Sequence, residues 1–558
     1  MSSQATYKPS EEVDFVMVGS GAAGGVLAKE LSTAAFKVVV LEQGRLIPAS
    51  DFGHDEISQR QEHGLINNFQ RQPQTFRKTP QDKAEKQFSV IYGCCVGGGT
   101  VHFTANFWRF HEIDFVERTR RGPVAGTGFA DWPITYAEME PYYTKVEWEV
   151  GVSGLAGASP FDPPRSKPYP LPPMPVKSSG VIFERAGWKL GWHPFPAPMA
   201  ILSQPYRGRA GCIHCGRCMG FGCEVGAKSS TLASVIPLAQ QTGRCEIRTQ
   251  SYAFRVEANR HGRATGVAYF DDRGRQHFQK ARAVIVSANG AETPRLLLLS
   301  SSGRFPQGLA NSSGMVGKHL MINGFSMVHA VFEQPLNDYT SAAVSRVLQD
   351  FYEIDPRLGF YGGGGLDARF GQTPIGFALG SVPPDVARWG KVYKNWLAET
   401  FSRSMCVACH ATSLPVEDNS FSLDPDLKDA WGLSALRMTY KDHPDDLKTV
   451  KYLQDRGLEL LAAAHATRVW APPVEEQTFA VHLLGTCRMG SDPKTSVVNA
   501  DHRTHDVPNL FLCDGSSFVT SGRGQPTMTI QALAFRAAEK FEPQGRDESK
   551  PMPQRTAW

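Results

Sequence analysis

The sequence predicts an α/β protein, α+β overall. A Rossmann-like nucleotide-binding domain, assembled from separate stretches of chain, carries a second domain built on an antiparallel sheet. Three observations predict this. A glycine loop sits between a buried strand and a helix near the start of the chain. The stretch from about 325 to 480 breaks into short alternating runs separated by Pro, Gly and Asp. A further buried strand and helix come after it.

Asp14 to Val18 reads as a buried strand, Gly25 to Leu31 as a helix, and Lys37 to Leu41 as a second strand ending at Glu42. Gly19-Ser20-Gly21-Ala22-Ala23-Gly24 joins the first two. A G-x-G-x-x-G run between strand and helix, with an acid closing the next strand, is a dinucleotide fingerprint. Its glycines let the backbone approach a pyrophosphate, and the helix N-terminus offers N–H groups to it. Glu42 is placed to accept hydrogen bonds from a ribose. No arginine partners it on the strand, which disfavours a 2′-phosphate.

A second cluster, Gly97-Gly98-Gly99-Thr100, precedes an aromatic segment with His102, Asn106 and Trp108. Leu155 to Pro175 reads as an irregular surface excursion. Ser229 to Gln240 looks helical and Glu246 to Val256 strand-like. Arg263 to Asp272 and His277 to Ala288 form a hairpin leading into a buried strand. That strand ends at a strand-turn-helix junction, Asn289 to Pro294. Asn509 to Leu512 is again a buried strand, ending at Asp514-Gly515, and Gln531 to Lys540 a helix. The expected division is 12–325 with 482–545 for the nucleotide domain, a cysteine insertion at 200–230, and 326–481 for substrate binding. Gly362 to Gly365 follows no clear strand and is expected to be a flexible loop.

The 558 residues carry 59 basic and 55 acidic side chains, mixed along the chain, so nucleic acid is a poor partner. No apolar run is long enough to span a membrane, and Met1 to Glu12 has no hydrophobic signal core. Any export is expected to depend on a partner's signal.

The 11 cysteines are odd in number and clustered, which argues against a disulfide framework. Cys212, Cys215, Cys218 and Cys223 have metal-ligand spacing, C-x2-C-x2-C-x4-C. The run is one residue longer than a ferredoxin run and lacks its proline. Gly216, Gly220 and Gly222 give the loop freedom to converge. An iron–sulfur cluster (3Fe–4S or 4Fe–4S), structural zinc and free thiols are the alternatives. Cys406-Val407-Ala408-Cys409-His410 matches a c-type haem attachment pattern, but it lies in a strand-like run and reads as coincidence.

The chain resembles the glucose-methanol-choline (GMC) oxidoreductases from about Asp14 to Phe541. The resemblance rests on Gly19 to Gly24 with Glu42, Val96 to Thr100, Asp131-Trp132-Pro133, and Ala310 to Ser313 before Val316-Gly317. It rests further on His482 to Gly490, Asn509-Leu510-Phe511, Asp514-Gly515-Ser516 and Pro526 to Ile530. Within the family the chain looks most like the bacterial glucose, fructose and gluconate dehydrogenases and the glucoside 3-dehydrogenases.

The resemblance implies FAD, with the flavin between the two domains. It also implies hydride transfer from an alcohol carbon to flavin N5, with a catalytic pair beside that atom. His482 matches the first member, the base. The second is usually His or Asn before Pro-Thr; here it is Gln525. The implied cofactor contacts are Gly19, Gly21, Ala22, Gly24, Glu42, Gly97, Gly98, Thr100, His102, Asn106, Ala253, Asn289, Asp514, Gly515, Gln525, Pro526 and Thr527. In branches with a similar local order, the residue matching His102 bonds covalently to the flavin. The related sugar dehydrogenases place an iron–sulfur cluster near the position of Cys212 to Cys223. They also work with a small subunit and a cytochrome or quinone acceptor. The implied substrate is a sugar, glycoside or polyol. The implied site is periplasmic or membrane-associated through a signal-bearing partner, and otherwise cytoplasmic. The alternatives are an oxidase reducing O2 and a non-redox lyase on the same fold.

Overall fold

Val13–Val18 is apolar at every position but Asp14, and it lies inside a seven-stranded sheet. The computed structural model describes residues 6–58, 64–370 and 373–545. Along that sheet run Cys245–Arg248, Val38–Leu41, Val13–Val18, Gln276–Val286, Ala264–Phe270 and Tyr252–Ala258. The first four pair in parallel, and the last three pair as antiparallel neighbours. Gln276–Val286 serves both patterns. Its first half pairs antiparallel with Ala264–Phe270, and its apolar end, Ala283 to Val286, is fully buried beside Val13–Val18.

The C-terminal stretch completes this sheet. Leu510–Leu512 pairs in parallel with Gln276–Val286, Leu510 opposite Val284. The helix Thr527–Gly545 packs beside the helix Ala22–Thr33. A strand and a helix from near the end of the chain thus sit against the elements that carry the first glycine loop.

A second, six-stranded sheet is antiparallel throughout. Its order is Arg468–Trp470, Gly324–Val331, Ser404–Ala411, Gly364–Arg369, Val344–Leu348 and Phe195–Pro196, the last from far upstream. Strand periodicity assigns its two faces. Met405, Val407, Cys409 and Ala411 join Leu366 and Ala368 in an apolar cluster with Val450, Leu453 and Leu460 of the helix Pro444–Ala463. The intervening residues, among them Asp367, Arg369 and His410, take the other face. A third sheet joins Gln74–Arg77 and Glu85–Lys86 to Ser420–Lys428 and Ser434–Thr439.

Three local expectations are corrected. Glu246 to Val256 is two strands, broken by a turn at Thr249 to Ser251, with Gln250 in the left-handed region at φ +51°. Only Val235–Gln241 of the Ser229 stretch is α-helical. Thr231 is held instead by Thr100, whose hydroxyl accepts its N–H at 3.0 Å. Gly364 and Gly365 are buried strand residues rather than flexible loop. Packing explains the glycine at 365: a Cβ there would lie 2.7 Å from the Trp108 indole.

Candidate active site

The two glycine loops meet back to back. Gly19 adopts φ +92°, and a Cβ on it would fall 2.4 Å from the Ser287 carbonyl oxygen. A Cβ on Gly98 would fall 2.8 Å from the Gly21 Cα. Such contacts admit only glycine. Glu42 accepts the Ser20 N–H at 3.0 Å, the Ser20 hydroxyl at 2.7 Å and the Gly44 N–H at 2.8 Å. Its carboxylate therefore braces the loop and also borders the space in front of it. Burial raises its pKa.

That space is a cavity of about 1080 Å³. Gly19, Gly21, Ala22, Glu42, Gly98, Thr100, His102, Ala253 and Asn289 line it, as do Asp514, Gly515, Gln525, Pro526, Thr527 and His482. Three expected contacts do not. A Cβ on Gly24 would lie 2.1 Å from the Gly19 carbonyl, so Gly24 serves helix–loop packing. Gly97, at φ +94°, supplies the turn, and its N–H donates to the Ser20 hydroxyl. Asn106 is buried away from the cavity. It accepts from Trp108 Nε1 at 2.7 Å and donates to Asp367 at 3.1 Å.

His102 lines the cavity, and its Nε2 is buried with no hydrogen-bond partner. Burial, then nearby Lys228, brings its pKa down to about 4. The Asp514 carboxylate accepts from Asn289 N–H, the Thr293 hydroxyl and Ser516 N–H, tying two strand ends together at the cavity wall. The helix that begins at Thr527 turns its N-terminus to the same space.

His482 stands at the other end, half-buried. Its Nδ1 is 3.0 Å from Asn323 Oδ1. The Asn323 amide nitrogen donates to the carbonyls of Ala411, Ser521 and Gly522, which turns its oxygen to the imidazole. Nδ1 must then carry the proton, and Nε2 keeps a lone pair. Enclosure, then neighbours His410 and Arg369, hold the imidazole pKa down to about 4. His482 is therefore neutral at neutral pH.

Gln525 is held from two sides. Two residues earlier, the buried Arg523 guanidinium pairs with Asp114 and Glu117 and anchors the loop. The Gln525 amide nitrogen lies 3.3 Å from His410 Nδ1. Sequence reasoning missed His410, which lines the cavity with Asp367 and Arg369 behind it. The signal was available. His410 alternates with the apolar face of its strand, but the strand's resemblance to a haem motif drew the reading elsewhere.

The four loop cysteines border one small pocket of about 20 Å³. Gly216 and Gly220 take positive φ, 78° and 86°. Backbone N–H groups of His214 and Lys228 point at Cys212 and Cys223 sulfurs, each at 3.4 Å. Yet among the described residues no three His, Cys, Asp or Glu side chains are grouped as metal ligands. The donor chemistry suits iron–sulfur; the arrangement of these thiols does not yet make a ligand cage. The same loop touches the main cavity through Met219, Gly220 and Phe221, and Gly220 N–H donates to the His102 carbonyl at 2.8 Å.

A glycine-backed cleft, an acid at the end of the second strand and an imidazole facing them define a dinucleotide-cofactor oxidoreductase. The family comparison makes this specific. The GMC oxidoreductase models match residues 13–323 and 415–534. The chain belongs to the GMC oxidoreductase family, the FAD-dependent enzymes acting on alcohol groups. It is 35% identical to a 2-methyl-1,2-propanediol dehydrogenase of Mycolicibacterium austroafricanum, over 95% of each chain. It is 29% identical to the fructose dehydrogenase large subunit of Gluconobacter japonicus, over 94% of this chain and 97% of that one. The formate oxidase of Aspergillus oryzae shares the fold at TM-score 0.65 and 15% identity, over 96% of this chain and 99% of that one.

Proposed function

We propose that the protein is an FAD-dependent dehydrogenase that oxidises an alcohol group of a sugar, glycoside or polyol, with His482 as base. The observation that carries this is the His482 Nε2 lone pair in the same cavity as the glycine fingerprint. The residues fit FAD: Gly19, Gly21 and Gly98 line the cleft with bare backbone, their two loops packed closely enough that positions 19 and 98 take only glycine, and Glu42 borders it. When bound, FAD supplies the hydride acceptor. His482 takes the hydroxyl proton at Nε2, and Asn323 fixes the ring and its tautomer. Gln525 orients the substrate through its amide.

The partnerless Nε2 supports His102 as the attachment point of a covalently held flavin. The cysteine loop, which borders both the main cavity and its own small pocket, supports an electron exit through an iron–sulfur cluster. The relative named as a large subunit supports work with a further subunit; on this reading that subunit is small and signal-bearing, and the acceptor is a cytochrome or quinone. A periplasmic or membrane-associated setting follows from that partner. No helix of the described residues is long and apolar enough to cross a membrane.

The test is anaerobic mixing of purified protein with a panel of sugars and diols. Bleaching of the flavin, with electrons then passing to a cytochrome or quinone analogue, is the expected result. Peroxide release at the turnover rate would make it an oxidase. A flavin that no alcohol bleaches would remove the dehydrogenase reading. Acid precipitation of the same sample should leave the colour in the pellet if His102 holds the flavin.

A further inference from the structure

His410 is nearly fully buried on the strand Ser404–Ala411, yet it borders the cavity beside His482 and Gln525. Its ring is fixed on several sides. Nε2 lies 2.8 Å from Asp367 Oδ2. The same carboxylate is pinned by Arg369, at 2.9 Å and 2.6 Å, and by Asn106 at 3.1 Å. The Trp108 and Phe325 rings pack on the imidazole at 5.6 Å and 5.4 Å.

Of the neighbours of Nε2, Asp367 at 2.8 Å only accepts and Arg369 at 3.3 Å only donates; the shorter contact puts the His410 proton on Nε2. Burial lowers the His410 pKa and keeps the ring neutral. Nδ1 is then an acceptor. The Gln525 amide nitrogen lies 3.3 Å from it and 3.4 Å from Nε2, against the ring rather than along the Nδ1 lone pair. One nitrogen that accepts thus sits beside one that donates, and the contact between them is weak. A hydroxyl group answers both: its hydrogen goes to His410 Nδ1, and its oxygen accepts from the Gln525 amide.

His410 neighbours the base His482 but carries an acceptor nitrogen of its own. His482 Nε2 takes the hydroxyl that is oxidised, so the pair His410–Gln525 is left for a second one. The Arg369 charge is neutralised by Asp367, so nothing here calls for an anionic substrate. Phe325, Phe479 and Val481 supply apolar surface at the same end.

The geometry points to His410 as a specificity-determining residue that, with Gln525, binds the second hydroxyl of a neutral vicinal diol. This rests on the reading of His482 as base toward the first hydroxyl. Asp367 is a positioning residue that sets the tautomer of His410.

The test compares 2-methyl-1,2-propanediol with 2-methyl-1-propanol, the same skeleton with one hydroxyl replaced by hydrogen. Flavin reduction in the wild-type holoenzyme is expected to favour the diol at least 10-fold in kcat/KM, since a site built for a hydroxyl is left unpaired without it. In His410→Ala that ratio is expected to fall toward one. Asp367→Asn can donate to Nε2 and push the proton to Nδ1, so the ratio should fall there too. Equal use of the two alcohols by the wild type overturns this assignment alone. So does a ratio that stays within about 2-fold of wild type in His410→Ala with FAD still bound. Flavin reduction by neither alcohol, with a sugar of the panel still bleaching the flavin, also overturns this assignment alone; a flavin that no alcohol of the panel bleaches overturns the underlying dehydrogenase reading. The wild-type comparison decides the matter even if the variants fail to fold.

Discussion

The two ends of the cavity are built by opposite means. The nucleotide end is backbone, formed by two loops whose Gly19 and Gly98 leave no room for a side chain against Ser287 and Gly21. The substrate end is side chain, with Asn323, Asp367, Arg369, His410, His482 and Gln525 brought in from separate elements. A backbone surface admits almost no variation without losing its ligand. A side-chain surface can be changed one residue at a time while the fold stays intact. This is how one family can keep one cofactor and act on many alcohols.

The largest effect that would break the comparison lies at the backbone end. Gly19→Val places a branched side chain at φ +92°, with its Cβ 2.4 Å from the Ser287 carbonyl. Flavin absorbance should be lost from the purified protein. A variant that stays fully yellow would show that the loop is not the cofactor cradle.

The next effect is at the side-chain end. His482→Ala should keep its FAD and lose roughly 10²–10⁴-fold in the rate of flavin reduction, the usual worth of a general base. The lowered pKa also predicts a pH profile. The base works when deprotonated, so kcat/KM should hold from neutrality downward and fall only as the pH drops through about 4. That acid limb should be absent from His482→Ala. A limb near neutrality that persists in the variant would mean another group is the base.

The smallest effect sharpens the border between the two ends. Asn106 was expected at the cofactor but bridges Trp108 and Asp367. Asn106→Leu should cost about 1–3 kcal/mol of stability, the price of an unpaired buried partner. It should leave FAD content unchanged. Thermal unfolding and flavin stoichiometry read the two quantities, and loss of FAD without loss of stability would return Asn106 to the cofactor site.

The same contrast explains what could be read in advance. The strand, glycine loop and helix from Val13 to Thr33 are local, so hydrophobic pattern and glycine spacing were enough. The return of Leu510–Leu512 to the first sheet was also legible, because a buried strand ended at a turn and a helix followed. His410 was not found. Its role depends on strand parity combined with Asp367, 43 residues away in sequence. Asn323 was missed for a similar reason: its amide matters only through the three carbonyls that orient it. The Gly364-Gly365 strand was mistaken for a loop because its glycines answer to the Trp108 ring and to neighbouring strands, not to local freedom.

The first sheet also sets a timetable. Val13–Val18 leaves the ribosome well before its neighbour Gln276–Val286, and Leu510–Leu512 with the helix Thr527–Gly545 follows later still. The cavity wall that faces Gly19 includes Asp514 and Thr527. A nascent chain can therefore form the antiparallel sheet during synthesis while the nucleotide domain stays open. Cofactor can be enclosed only once Asp514 and Thr527 have been made, so chains cut short before Leu510 should emerge colourless. Yellow colour then marks chains whose synthesis has passed Thr527.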